Sequence, residues 1–191
     1  MITSNGIETF SFSDKRTTSL LSDLDELNLE SSHYLLLLVG IYEAGKKNIL
    51  TKLQKKRGTF KEIDIREMIS MNEQESYKKI DRVFDSIGEN DKNILFRNGD
   101  ALAGEYTGFT YSSVRYATPQ EKYLLKKIRH TERFYVIDMK EYENIDKTLQ
   151  RYAQVAILFD KPNSFLGGLF WKLRQIKVNG HTFANKRPST V

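Results

Sequence analysis

The residues with the clearest potential for chemistry are Asp138 and Lys140, in the stretch FYVIDMKEY at 134–142. Both follow a run of hydrophobic residues that is typical of a β-strand. A carboxylate at the end of a strand can hold a divalent cation, and a lysine two residues later can help activate a water molecule. The spacing therefore indicates, as one hypothesis, a metal-dependent nuclease.

This acid-x-Lys spacing resembles the end of the PD-(D/E)xK nuclease signature. The resemblance implies a second acid upstream, which would have to be Asp100 or Glu105, and no Pro-Asp pair precedes the strand. An exposed salt bridge or a turn is the alternative explanation, since acid-x-Lys after a strand is common by chance.

Other catalytic and metal-binding signatures are missing from the sequence. It contains no cysteine, which excludes disulfides and thiolate chemistry. His33, His130 and His181 are far apart and lack metal-ligand spacing. There is no G-x-x-x-x-G-K-[ST], G-x-G-x-x-G or G-x-S-x-G pattern. We therefore expect no cofactor and no metal, and we expect a binding protein rather than an enzyme.

Basic residues are concentrated in runs that suit contact with a polyanion. The chain carries a formal net charge of +5, although residues 1–31 contain six acids and two bases. Basic runs with interleaved apolar residues can contact phosphates without reading base sequence. A solvated helix face is the alternative for each run. The candidate nucleic-acid contacts in two of these runs are Lys46, Lys47, Lys52, Lys55, Lys56, Arg57, Lys126, Lys127 and Arg129.

Several secondary-structure elements can be predicted from hydrophobic spacing and capping residues. A helix is expected from about His33 to Arg57, including the run YLLLLVGIY, and a second helix after Asn72. NILFR at 93–97 is expected to be a strand, and Asn98-Gly99 a hairpin turn leading to a second strand within 105–116. Thr118 and Pro119 should begin a further helix that ends near Arg129.

This order of elements resembles the winged helix-turn-helix superfamily over about residues 33–129. The residues that carry the resemblance are GTFKEIDIREMI, ESYKKIDRVFDSIG, NILFRNGD and SSVRYATPQEKYLL. It implies an α+β fold with a winged-helix domain at 32–130. Outside the resemblance, composition and charge predict a flexible acidic arm at 1–31 and a basic helix/hairpin part at 131–191, which could be a second, degenerate winged helix.

The resemblance also implies sites for DNA. The third helix would present Lys78, Lys79 and Arg82 to the major groove, and Arg97 and Arg115 would flank the wing. Residues 73–91, however, hold six acids and three bases, which opposes the electrostatic attraction on which DNA affinity depends.

The C-terminal stretch NSFLGGLFWKLRQIKV at 163–178 offers a hydrophobic partner-binding element. Phe165, Phe170 and Trp171 could anchor a protein partner, although the same residues could form core. No run reaches the length of a membrane span, and a cytoplasmic, nucleoid or nuclear location is expected.

Three functions follow from these observations. The leading prediction is a non-enzymatic nucleic-acid-associated protein, such as a DNA-binding regulator or an accessory subunit of a DNA-handling complex. The alternative is a protein-only adaptor or structural subunit, as a homo-oligomer or with another protein. The third is the metal-dependent nuclease.

Overall fold

The computed structural model describes the backbone of residues 8–11, together with residue 21, residues 33–103 and residues 117–159. The strands are β1 Glu8–Ser11, β2 Tyr34–Val39, β3 Lys61–Asp64, β4 Asn93–Arg97, β5 Phe134–Met139 and β6 Val155–Leu158. The helices are α1 Glu43–Arg57, α2 Ile65–Met68, α3 Glu73–Asp85, α4 Pro119–Arg129 and α5 Lys147–Tyr152. Short 3-10 turns occupy Gly99–Leu102 and Tyr142–Asn144.

These strands form one sheet in the order β1-β6-β2-β5-β4-β3, and every described pair is parallel. Five strands between Tyr34 and Leu158 make up the body of the sheet, and β1 adds a sixth at its edge. Parallel neighbours require crossover connections, and helices provide them here. The sheet includes strands from both sides of residue 130, where the sequence suggested a domain boundary.

Helices cover both faces of the sheet, which makes the fold a three-layer α/β structure. We call the face that packs against α1 the back face. There, Leu36, Leu38, Val136 and Ile157 meet Ile49, Leu50 and Leu53. The face that packs against α2 to α5 is the front face. There, Leu37, Phe96, Tyr135 and Ile137 meet side chains that include Ile80, Leu124, Ile128 and Leu149.

The prediction of an α+β winged helix-turn-helix core is therefore wrong. A wing requires an antiparallel hairpin after β4, but parallel strands occupy both edges of β4, with β3 on one side and β5 on the other. Asn98 does adopt the left-handed conformation expected of a turn residue, with φ 58°, but it leads into a 3-10 turn. The second wing strand predicted within 105–116 falls outside the described residues.

The single helix predicted from His33 to Arg57 is also wrong. Residues Tyr34–Val39 form a strand, and the helix begins only at Glu43. The prediction failed because this strand is buried on both faces of the sheet. The sequence of such a central parallel strand is a continuous apolar run without the alternation typical of a half-exposed strand. Leu35, Leu36, Leu37 and Leu38 are all 0% exposed.

Other predicted elements are confirmed. Asn72 caps α3 by accepting a hydrogen bond from Glu75 N at 3.1 Å. Thr118 caps α4 by accepting one from Glu121 N at 3.0 Å, with Pro119 at the first helical position. β4 and β5 lie where NILFR and FYVID predicted strands. Within the described stretches, no helix combines the length and apolarity needed to cross a bilayer.

Candidate functional site

A cleft of about 750 Å³ opens at the carboxyl ends of the strands. Open parallel sheets bind ligands at this edge, where the chain leaves adjacent strands in opposite directions. Here β2 continues through α1 on the back face toward β3, whereas β5 continues through α5 on the front face toward β6. The cleft is lined by Glu43, Glu62, Ile63, Asp64, Glu67, Val83, Ser86, Arg97, Asn98, Asp100, Asp138 and Lys140.

The cleft carries an excess of negative charge, with six carboxylates against Arg97 and Lys140. The hydrogen bond from the Arg66 guanidinium to Asp64 holds the pKa of that carboxyl well below its usual range. Asp64 is further fixed by Asn98 Nδ2, which donates to Asp64 Oδ2 at 2.9 Å. An anionic ligand therefore meets electrostatic repulsion at this edge of the sheet.

The loop after β2 contains a sequence pattern that the sequence analysis missed. GIYEAGKK at 40–47 places Gly40, Gly45 and Lys46 at the spacing G-x-x-x-x-G-K, between a buried strand and a helix. A P-loop has the same strand–loop–helix context, with a final Ser or Thr that ligates Mg²⁺. Lys47 stands at that final position here. Lys47 breaks the usual G-x-x-x-x-G-K-[ST] pattern, and the helix predicted from about His33 to Arg57 places no strand before Gly40.

Lys46 is a buried cation that is held inside the fold. Its side chain is 1% exposed, and Nζ donates to Asp138 Oδ1 at 2.6 Å and to the Met139 carbonyl oxygen at 2.7 Å. The Glu43 carboxylate lies 3.6 Å from the same nitrogen. A buried lysine needs such compensation, because its charge has been removed from water. Lys46 thereby ties α1 to the end of β5.

A chain of alternating charges continues from Lys46 across the sheet. The second oxygen of Asp138 accepts from Arg97 Nη1 at 3.1 Å, and Arg97 Nε donates to Glu62 Oε2 at 3.0 Å. Burial opposes the charge of Arg97, but hydrogen bonds and the charges of Glu62 and Asp138 outweigh it and raise its pKa. Ion pairs thus link the carboxyl ends of β3, β4 and β5.

Gly40 packs against the backbone of Phe159, and Gly45 packs against the rings of Tyr42 and Phe159. Gly40 has φ +127°, and a Cβ there would lie 2.4 Å from the Phe159 carbonyl oxygen. A Cβ on Gly45 would lie 2.5 Å from the Tyr42 ring and 2.8 Å from the Phe159 ring. Because α1 already begins at Glu43, only three residues separate strand from helix. In the described conformation the two glycines therefore pack against protein atoms.

This close packing makes a testable prediction. We expect Gly45→Ala to lower the free energy of unfolding by roughly 1–3 kcal/mol, because the new methyl group overpacks against Tyr42 and Phe159. Gly88→Ala is the matched control, since the nearest atom to a Cβ there is Asp91 Oδ2 at 3.6 Å. Urea unfolding of both variants measures the difference. Equal stability of the two variants would contradict the packing around Gly45.

The end of strand β4 lacks the acid that would bind Mg²⁺ in a P-loop enzyme. P-loop enzymes hold Mg²⁺ with the loop Ser or Thr and an Asp supplied by a second motif, typically at the end of a hydrophobic strand. The hydrophobic strand β4 ends in Arg97-Asn98, a cation and an amide. Arg97 is engaged by Glu62 and Asp138, as described above, so this strand end bears no carboxylate.

The residues of the nuclease hypothesis have other contacts. Asp138 pairs with Lys46 and Arg97, whereas Lys140 is exposed. Asp100 accepts from Lys140 N at 2.7 Å, Glu141 N at 3.0 Å and Asn144 Nδ2 at 2.8 Å. Asp100 therefore fixes the backbone after β5. Among the described residues no group of three His, Cys, Asp or Glu side chains could hold a metal ion, and Glu105 lies outside them.

The predicted nucleic-acid contacts are divided between the two faces of the sheet. Lys47, Lys52 and Lys55 are exposed on α1, which covers the back face, whereas exposed bases of α3 and α4 belong to the front-face layer. These front-layer bases are Lys78, Arg82, Lys126 and Arg129. The exposed bases of α1 and those of α3 and α4 therefore belong to layers on opposite faces of the sheet.

Several of the remaining candidate bases already have partners. Lys79 pairs with Glu75 at 2.8 Å, and Lys127 pairs with Asp81. Lys56 Nζ donates to the Leu21 carbonyl oxygen at 2.9 Å, and the Arg57 guanidinium lies 4.7 Å from the centre of the Phe134 ring. Arg115, Phe165, Phe170 and Trp171 lie outside the described residues, so their predicted roles stay predictions.

The histidines show no shared site in the described part of the chain. Burial and the nearby Arg129 charge lower the pKa of His33, and His130 Nδ1 lies 2.6 Å from the Lys126 carbonyl oxygen at the end of α4. His181 is outside the described residues.

Comparisons with known proteins find a similar structure but no matching family model or curated protein. Among solved structures that do match, one is a chain of the structure of an E. coli MS115-1 HORMA:CdnC:Trip13 complex, with 16% sequence identity and a TM-score of 0.47. The match covers 68% of this chain and 48% of that chain. This protein thus spans about half the length of the chain to which it is similar.

Proposed function

We propose that this protein is a non-catalytic protein-interaction subunit built on a P-loop-type α/β core. The observation that carries the proposal is the position of Lys46, which is 1% exposed and bonded to Asp138 and Met139. A P-loop lysine contributes to phosphoryl transfer by contacting the β- and γ-phosphates. Lys46 instead contacts the protein, and so serves the fold.

Two further features support the absence of phosphoryl transfer. Lys47 replaces the hydroxyl that would ligate Mg²⁺, and Arg97-Asn98 ends β4 where an acid would complete the metal site. The cleft next to Lys46 is predominantly acidic, which disfavours a polyphosphate. We therefore expect the purified protein to hydrolyse ATP and GTP no faster than its Lys46→Met variant.

An adaptor role fits the described surface better than nucleic-acid binding does. A duplex needs a continuous cationic surface, whereas the described bases lie on both sides of the sheet or pair with acids. The large hydrophobic side chains exposed among the described residues are Ile41, at 56%, and Met71, at 106%. They lie in the connections after β2 and β3, where they offer apolar contacts to a partner.

The proposal is tested by affinity purification from the native cell, with and without nuclease treatment. We expect the same protein partners in both samples, in amounts that nuclease leaves unchanged. Loss of all partners after nuclease would contradict the proposal and restore the nucleic-acid hypothesis. A gel shift of duplex DNA by the purified protein that weakens steeply with salt would point the same way.

A further inference from the structure

We propose that the Asp138 carboxylate is an internal substitute for a bound anion, so that the protein carries a latent anion site at Lys46. The contact is autoinhibitory, because the ammonium cannot reach an external anion while Asp138 holds it. This inference rests on the proposed function only in treating GIYEAGKK as a P-loop-type segment.

The hydrogen bonds of the Lys46 ammonium support the idea that Asp138 stands in for an external anion. Lysine has three N–H donors, and the Lys46 Nζ finds acceptors in Asp138 Oδ1 at 2.6 Å and the Met139 carbonyl at 2.7 Å. A third oxygen, from the Glu43 carboxylate, lies 3.6 Å away. In a P-loop the corresponding lysine contacts anionic phosphate oxygens. Asp138 supplies an oxygen of the same charge to the same kind of donor.

Asp138 also lies between the lysine and the cleft. Asp138 and Glu43 both line the cleft, and their side chains are 12% and 63% exposed, whereas that of Lys46 is 1% exposed. Arg97 and Lys140 line the same cleft. Neutralising the two acidic partners of Lys46 removes two of the six carboxylates of the cleft and leaves the ammonium without its counter-charges beside Arg97 and Lys140. Repulsion of an anion from the other four carboxylates remains, so the gain expected is relative to the wild type.

The test replaces both acidic partners by amides of nearly the same shape, as Glu43→Gln with Asp138→Asn. The probe is inorganic pyrophosphate without metal, and the readouts are isothermal titration calorimetry and thermal unfolding. We expect the double variant to bind pyrophosphate at least tenfold more tightly than the wild type. Its melting temperature should rise by roughly 3 °C at a pyrophosphate concentration about ten times the dissociation constant.

The matched control adds Lys46→Met to the same two substitutions and should abolish both effects. Pyrophosphate binding that is equal in the wild type, the double variant and the triple variant would overturn the proposal. If the double variant does not fold by itself, its refolding yield is measured with and without pyrophosphate. Rescue that requires Lys46 supports the proposal, and absence of rescue overturns it. None of these outcomes changes the partner purification, so the adaptor proposal is tested separately.

Discussion

Replacing Lys46 by methionine is expected to lower the free energy of unfolding by about 3 kcal/mol or more. Removing one member of a buried ion pair typically costs about 3–5 kcal/mol, because the other member remains buried without its counter-charge. In Lys46→Met, Asp138 Oδ1 and the Met139 carbonyl oxygen lose the donor that lies 2.6 and 2.7 Å from them. Arg97 still pairs with the other oxygen of Asp138, which places the loss toward the lower end of that range.

The neighbouring lysine provides the matched control. Lys47 is exposed, so we expect Lys47→Met to change stability by no more than about 0.5 kcal/mol. Urea unfolding, monitored by far-UV circular dichroism, measures both variants against the wild type. If Lys46→Met were as stable as Lys47→Met, Lys46 would not be a structural cation, and our account of the loop would be wrong.

A second large effect, on the pH dependence of the free energy of unfolding, is expected from a buried pair of carboxyl groups on the front face. Glu121, in the first turn of α4, is 2% exposed, and Asp146, which caps α5, is 6% exposed. Burial, followed by the charge of Asp146 and a hydrogen bond to it, raises the pKa of Glu121 to about 8. Glu121 is therefore mainly protonated at neutral pH in the folded protein and ionised in the unfolded chain.

The raised pKa determines the sign of the pH dependence. Below the unfolded-state pKa of 4.5, Glu121 is protonated in both states and does not oppose folding. Between that value and about 8 the folded state binds one more proton than the unfolded state, so stability falls as pH rises, by up to about 1.4 kcal/mol per pH unit. Above the folded-state pKa the loss is complete.

Glu121→Gln should remove this dependence, because an amide does not titrate. We expect the variant to gain on the order of 3 kcal/mol over the wild type between pH 5 and pH 8, as measured by urea unfolding at unit pH intervals. Glu132→Gln makes the same change at an exposed position and should track the wild type. Parallel pH profiles for the wild type and Glu121→Gln would contradict the raised pKa.

The local elements that the sequence predicted correctly share one property. Their signals are short-range, as in the caps at Asn72 and Thr118 or the β-branched and aromatic strand FYVID. The strand β2 was mistaken for a helix because YLLLLV has no period, and only the neighbouring strands β5 and β6 decide its conformation. The parallel sheet could not be deduced from the sequence. The pairing of its strands depends on contacts between residues that are far apart in the chain.

The candidate site was only partly predictable. Asp138 was identified as a residue of interest, but its partner Lys46 lies 92 positions away, and no local pattern links them. Lys46 was grouped with the exposed bases of the run KKNILTKLQKKR, because a basic residue in a sequence carries no sign of burial. The segment GIYEAGKK contained the missing signal, which becomes readable once a strand is recognised before Gly40.

The central claim is that the Lys46 ammonium binds protein atoms and stabilises the fold, and does not bind a nucleotide. The most direct measurement is a ¹H–¹⁵N spectrum of the lysine side-chain ammonium groups, recorded without and with MgATP. We predict that the Lys46 ammonium signal is protected from exchange with water, is absent in Lys46→Met and does not move with MgATP. A Lys46 signal that exchanges as fast as those of exposed lysines, or that shifts saturably with MgATP, would contradict the claim.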